Sequence, residues 1–241
     1  MVRWIEGGLS LWPEFRRSRH AIVQRVDDPA LPAPIFIKQF LLRDGWDRLK
    51  RMVRPPRARR ALLANQMITA LGFRTEPVIA LAEYRRFGFT WKSVLFTREL
   101  PDVHEARAVF RDPEFGLRAD IPKRRELLDG LAGEIGAWHK ADLHHGDLRL
   151  SNLLMQRNGD SCAFYWMDNE RTRRYARMPE SRRVHNLVQI ILDPGVFTRT
   201  DMLRLWRAYK VASGYAPLDE KAFLRKVIER TRERRRKRGW V

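Results

Sequence analysis

A change of hydrophobic period near Thr97–Pro101 limits most strongly how this chain can fold. Before it, His20–Val26 (HAIVQRV) and Ile35–Phe40 (IFIKQF) are short, β-branched apolar runs separated by the turn-rich DDPALPAP. Pro77–Ala82 and Trp91–Thr97 (WKSVLFT) repeat that character about a turn at Arg85–Gly88. Asp44–Val53 mixes charge with apolar spacing and fits neither period. After Pro55-Pro56, Arg57–Leu71 reads as a helix: Ala61, Leu62, Ala64, Ile68 and Leu71 share a side, and Gly72 stands where a helix stops.

Beyond Pro101 the apolar spacing becomes helical. Lys123–Lys140 carries Leu127, Leu128, Leu131, Ile135 and Trp138 as one buried stripe. Leu153–Met155 and Ala163–Met167 are joined through Asn158-Gly159, a strong hairpin signal. From about Arg182 the pattern is helical and ends in a basic tail. The chain is therefore expected to be α+β, with a β-rich part over 1–99 carrying one main helix, and a larger, mostly helical part over 100–241.

Charge is the unusual component of the composition. Lys and Arg total 48 against 29 Asp and Glu, a net charge of +19, in a chain of 241 residues whose 44% hydrophobic content is that of an ordinary globular protein. Such a field attracts polyanions, and the excess of Arg over Lys favours bidentate contact with phosphate or carboxylate. Cys162 is the one cysteine, which excludes an intrachain disulfide and every Cys-rich metal framework and points to a reducing compartment. No apolar run approaches the length of a membrane span, and the N-terminal segment lacks a signal-peptide pattern.

The polar segment His144–Asn152 (HHGDLRLSN) interrupts these elements and carries the chemistry. His145-Gly146-Asp147 with Asn152 gives H-x-D-x-x-x-x-N. In phosphoryl transfer the Asp accepts a hydroxyl proton and aims the oxygen, while the Asn reaches Mg²⁺. Both side chains must converge on one point, which demands a loop. Arg149 suits a cation that neutralises charge on the transferred group. Asp168, directly after the second hairpin strand, is placed to bring a carboxylate beside the loop as a second metal ligand. Lys38 sits in an apolar strand, where an ammonium needs a partner such as a nucleotide phosphate. His145 is expected to brace the loop, and His139 and His144 to be structural. No spacing of His, Cys and carboxylates suggests zinc.

These residues carry a resemblance. HHGDLRLSNLLM, FYWMDNERTRRY and the helical stretch from RRVHNLVQ to YKVASG are similar to the lipopolysaccharide kinase family, which includes bacterial Kdo and heptose kinases; IFIKQF, Arg59–Gly72 and SVLFTREL resemble its N-terminal lobe. The resemblance implies a two-lobed, protein-kinase-like fold and a kinase that uses ATP and Mg²⁺ to phosphorylate a sugar hydroxyl of the lipopolysaccharide core. It implies that Asp147 is the base, that Asn152 and Asp168 bind metal, that Lys38 binds the ATP phosphates, and that Arg98, Glu99 and Leu100 form the adenine-facing hinge.

The sequence also departs from the kinase pattern. The Arg57–Leu71 helix has no acid to pair with Lys38, which leaves Asn65, Gln66 and Glu76 as open choices. Gly7-Gly8 are the only early glycines, with no G-x-G-x-x-G. Asp168 is followed by Asn-Glu rather than Phe-Gly, and Asn186 stands where protein kinases carry an Asp that braces the loop. Met178-Pro179-Glu180 follows Asp168 too closely to end a regulated activation segment, which favours a saccharide or small-molecule acceptor. Arg171, Arg173, Arg174 and Arg177 lie there, suited to the carboxylates or phosphates of an anionic saccharide.

In the tail, Phe223, Leu224, Val227 and Ile228 form an apolar strip, followed by Arg230, Arg232, the run Arg234–Arg238 and Trp240. That arrangement suits the anionic cytoplasmic face of the inner membrane, and the rival readings are a solvated helix packed on the C-terminal lobe and an RNA-binding tail. The expected location is cytoplasmic, peripheral on that face. The competing readings are a protein or small-molecule kinase of the same fold, and a catalytically weak scaffold on membrane or RNA.

Overall fold

The apolar runs of the first half pair as the strands their alternation suggests. In a computed structural model, which describes residues 14–18, 21–41, 54–86, 89–115, 117, 119–158 and 161–240, the chain divides into two compact units, Met1–Thr69 with Thr75–Pro101, and Ala70–Arg74 with Asp102–Val241. Gly7-Gly8, Asp44–Val53 and the turn positions 87–88 and 159–160 lie outside the described residues.

The first unit holds an antiparallel sheet in the order β1–β2–β3–β6–β5, built from β1 (Glu14–Arg17), β2 (Ala21–Val26), β3 (Ile35–Phe40), β5 (Val78–Arg86) and β6 (Phe89–Arg98), with α1 (Arg57–Ala70). Alternation along the strands makes two apolar faces. Ile35 and Ile37 of β3 join Val26, Val94 and Phe96 on one; Phe40 joins Ala21, Leu95 and the α1 residues Ala58 and Ala61 on the other. Lys38 alternates in step with Phe40 and pairs in register with Leu95, so it lies on the face that carries α1. The helix ends at Gly72, whose φ of 85° is the left-handed stop expected there. A two-residue strand, β4 (Arg74–Thr75), sits at the boundary of the units.

The second unit opens with β7 (Val103–Glu105) and α2 (Ala106–Arg111), continues through α3 (Ile121–Lys140), β8 (Leu143–His144), the hairpin β9 (Leu153–Asn158) and β10 (Ser161–Trp166), and β11 (Arg173–Arg174), and closes with α4 (Glu180–Ile190), α5 (Arg199–Ser213) and α6 (Glu220–Arg236). Asp120 caps α3 by accepting from the Lys123 N–H at 3.0 Å, and Thr198 and Asp201 form a reciprocal capping box at the start of α5. The apolar stripe of α3 is buried where that helix packs on α5. Trp138 of α3 stacks on Trp166 of β10 with ring centroids 3.6 Å apart, an apolar floor beneath the polar loop.

The basic tail is a packed helix. Phe223, Val227 and Thr231 of α6 are buried, Leu224 is half-buried and Ile228 is exposed, so much of the apolar strip is used within the unit. Lys226 bonds Glu180 at the start of α4, and Arg235 donates to the carbonyls of Ile191 and Leu192 at its end, at 2.8 and 2.9 Å. A guanidinium there satisfies orphan helix carbonyls and faces the negative end of the dipole. The architecture is α+β and protein-kinase-like: a β-rich unit with one main helix and a larger helical unit.

Candidate active site

His145–Asn152 is held by donors and acceptors from three directions. His145 is fully buried and uses both ring nitrogens: Nε2–H donates to the Met167 carbonyl at 2.9 Å and Nδ1 accepts from the Asp147 backbone N–H at 3.1 Å. Those partners fix one neutral tautomer, and burial lowers the pKa of the ring, against the Met167 carbonyl and the nearby carboxylates, which favour the proton. Asn152 donates from Nδ2 to the Asp147 carbonyl at 2.7 Å, and its own carbonyl accepts from the Met167 N–H at 2.9 Å. His145 and Asn152 are therefore both tied to the end of β10, just before Asp168.

The third direction is α4. Asn186 accepts at Oδ1 from the His145 N–H (3.2 Å) and His139 Nε2–H (3.1 Å), and donates from Nδ2 to the His145 carbonyl (2.5 Å) and Gln189 Oε1 (3.2 Å). Gln189 accepts from the Leu148 N–H at 3.0 Å and donates to Asp147 Oδ1 at 3.3 Å. Every polar position of the buried Asn186 amide is thus used. A neutral amide suffices because the groups it must satisfy include a carbonyl as well as N–H donors. Gln189 belongs to no sequence motif, and its one signal is its position one turn after Asn186 on the same helix face.

Asp147 itself is half-exposed. Arg149 Nε donates to its Oδ1 at 3.0 Å, so both side-chain donors, Arg149 and Gln189, converge on that oxygen. The Asp147–Arg149 pair is solvated and contributes little stability. Gly146 explains the departure from His-Arg-Asp: a Cβ there would lie 2.3 Å from Arg171 Cβ and 2.8 Å from the Arg171 carbonyl. The segment after Asp168 presses against the loop where a side chain would stand.

That segment is short and stitched. β11 pairs with β8, placing Arg173 opposite His144. Asp142 accepts from the Met178 N–H through Oδ1 at 2.6 Å and from the Tyr175 N–H through its carbonyl at 2.9 Å. Arg171, Arg173, Arg174 and Arg177 are exposed on it. Asp168 adopts the left-handed conformation (φ 56°, ψ 43°), a strained state that Asp tolerates better than most residues and that gathers at functional sites.

Asn152 and Asp168 offer oxygen donors at one end of the hairpin, and the Asn152 amide nitrogen is committed to the loop, which leaves Oδ1 as the acceptor atom of that side chain. Among the described residues no group of three or more His, Cys, Asp or Glu gathers as a metal site. One carboxylate and one amide oxygen suit Mg²⁺, which keeps few protein ligands and completes its shell with waters and substrate phosphates.

Beneath the loop, His139 is fully buried, its Nδ1 accepting from Tyr209 OH at 2.9 Å. Burial chiefly, with Arg183 adding to it, holds its pKa down to about 3, against the Asn186 hydrogen bond, which favours the proton. An unfolded histidine titrates near 6.5, so between the two values the unfolded chain binds the extra proton. Stability is complete above pH 6.5 and is lost as pH falls, by about 2 kcal/mol at pH 5 from His139 alone. A urea midpoint that is the same at pH 5 and pH 7.5 would contradict this neutral, buried assignment.

The remaining predicted residues belong to the first unit. Lys38 is on β3, interior to its sheet, half-buried, with Nζ 5.3 Å from the Phe40 ring centroid. Asn65 and Glu76 are buried, and Asn65 Nδ2 lies 3.5 Å from the Glu76 carbonyl. Arg98 is the last residue of β6, and Glu99 and Leu100 follow it. The Glu99 carboxylate takes a bidentate pair from Arg25 at 2.9 and 2.7 Å, whose hydrogen bond lowers its pKa. Elsewhere, a cavity of about 1040 Å³ opens between the start of α3 and α5. Its wall includes Arg124 and Asp201, a buried ion pair at 2.7 Å, and it contains none of the predicted site residues.

Among solved structures, WaaP in complex with acyl carrier protein aligns over 92% of this chain and 88% of its own, at 21% identity and a TM-score of 0.67, which establishes the shared fold. The PknI kinase domain of Mycobacterium tuberculosis aligns over 65% of this chain and 56% of its own, at 15% identity and a TM-score of 0.37. Comparison with curated proteins gives no match. The sequence model of the lipopolysaccharide kinase (Kdo/WaaP) family matches residues 36–209, a span that includes Lys38, Asp147, Asn152 and Asp168. With well over half of the sequence inside that match, the chain belongs to the lipopolysaccharide kinase (Kdo/WaaP) family and is an ATP-dependent kinase.

Proposed function

We propose that this kinase phosphorylates a hydroxyl of heptose or Kdo in the lipopolysaccharide inner core, with Asp147 as the base. The observation that carries the reading is the loop itself. Backbone and amide bonds hold Asp147 in place, and both side-chain donors fall on Oδ1, leaving Oδ2 to accept the hydroxyl proton. As the sugar oxygen bonds to the γ-phosphorus, the bond to the β–γ bridging oxygen breaks, and the proton passes to Asp147.

Asn152 Oδ1 and Asp168 would hold Mg²⁺, which when bound neutralises charge on the phosphate oxygens. Lys38 would bind the nucleotide phosphates. With the Glu99 side chain taken by Arg25, residues Arg98–Leu100 would meet adenine through backbone atoms. Arg149 would neutralise charge on the transferred group. His145, whose ring nitrogens are both engaged within the loop, acts as a positioning residue.

The exposed arginines of residues 171–177 support an acidic acceptor over a neutral one. An acceptor of this kind is carried on a membrane glycolipid, so the same reading places the enzyme at the cytoplasmic face of the inner membrane. Mass spectrometry of lipopolysaccharide from a strain lacking the gene is expected to show one core phosphate fewer. Purified enzyme with radiolabelled ATP, Mg²⁺ and dephosphorylated core oligosaccharide should restore it. An unchanged phosphate count and no transfer in vitro would end the reading.

A further inference from the structure

The α6 arginines are not a free tail. Lys226 and Arg235 fasten the helix along α4 at both ends, and Phe223, Val227 and Thr231 bury its inner face. Between those anchors Arg230 and Arg234 are one turn apart, and Arg238 lies in the turn that follows the helix. The neighbouring α4 presents Arg182 and His185 one turn before Asn186 and Gln189, the two amides that hold the catalytic loop. His185 Nδ1 lies 3.0 Å from Nε2 of His144, at the entry to that loop.

Arg234 lies within electrostatic reach of Asp147 and Arg149 as well as Arg230 and Arg238. Partial burial first, then Arg238 and Arg230, lower its hold on the proton, and Asp147 opposes them. Arg234 and Arg230 act also on His185, which burial, then Arg234 and Arg182, push down to about 4, with Asp147 opposing them. A row of like charges repels itself, and a bound anion relieves that repulsion.

From this placement we infer that α6 forms one wall of the acceptor site, with Arg230, Arg234 and Arg182 gripping the carboxylate or phosphate groups of an acidic saccharide beside Asp147. The inference rests on the saccharide-kinase reading above and assigns to it a helix that composition alone would give to a membrane. The exposed arginines of residues 171–177 stand on the segment paired to β8, so cations reach the loop from two elements. Bidentate guanidinium contacts suit carboxylate and phosphate alike.

The test uses full-length enzyme, with Arg230→Gln/Arg234→Gln beside Arg230→Lys/Arg234→Lys. With dephosphorylated, Kdo-containing core oligosaccharide, the Gln variant is expected to raise the acceptor KM about tenfold or more, to leave the ATP KM within about twofold, and to flatten the salt dependence of the acceptor KM. The Lys variant recovers part of the loss, and thermal melting verifies that both are folded. Calorimetric binding of the same oligosaccharide without nucleotide separates the two readings. Binding by wild type that weakens in the Gln variant, with no transfer by either, upholds the wall and ends the kinase reading for this acceptor. Equal acceptor KM and equal binding in wild type and Gln variant overturn the wall. So does a wild type that does not bind the oligosaccharide, or a Gln variant that loses only flotation with anionic vesicles.

Discussion

Replacing Asp147 by alanine is expected to lower single-turnover phosphoryl transfer by a factor on the order of 10² to 10⁴, with the fold and nucleotide binding retained. The fold survives because the loop does not depend on this carboxylate: the Asp147 carbonyl is held by Asn152 and its N–H by His145, while Asn186 and Gln189 hold the backbone of His145 and Leu148. What the side chain receives is one bond from Gln189 and one solvated pair with Arg149, together a small term in stability. Asp147→Asn sharpens the test. The amide is nearly isosteric and can still accept at Oδ1 from both donors, yet it cannot take the hydroxyl proton. Both variants should therefore lose a similar large factor with melting temperatures near wild type. A loss smaller than about tenfold in either would remove Asp147 from the role of base.

Which parts of this arrangement were legible in the sequence follows from the range of the forces that make it. Ile35–Phe40 is found as written, and the α3 stripe is wholly buried, because burial imposes a local period that survives in the residue order. The hairpin strands run past their apolar cores into Gln156–Asn158 and Ser161–Cys162, where ladder bonds rather than burial extend the element. β7 was hidden within a region read as helical, since three residues are too few to show a period.

The loop was legible because its chemistry fixes residue types at fixed spacing, and Asn186 because the kinase pattern demands a brace there. Gln189, Asp142 and the approach of Arg234 to Asp147 were not legible. Each depends on contacts between residues far apart in the chain, which no local pattern records. The tail is the clearest instance: its amphipathic pattern was real, but only packing shows that Phe223 and Val227 turn inward against the protein.

Gly146 is where a long-range contact makes its own prediction, one with the sign opposite to the usual rule. Its φ is not in the left-handed region, so alanine would be expected to stabilise by trimming the freedom of the unfolded chain. Here the new Cβ would stand 2.3 Å from Arg171 Cβ and 2.8 Å from the Arg171 carbonyl, closer than real contacts allow. Either the loop or the turn at Asn169–Arg171 must move, and that turn begins at the Asp168 proposed to hold metal. Gly146→Ala should destabilise by about 1–3 kcal/mol. Displacing either carboxylate by about 1 Å should lower turnover on the order of 10²-fold. Gly146→Arg, which would write the His-Arg-Asp of protein kinases, should be at least as damaging, because the Arg171 backbone occupies the space that arginine needs. Urea unfolding and single-turnover rates for the two variants settle the point: an alanine variant as stable and as fast as wild type would mean that residues 169–171 do not press on the loop in the working enzyme.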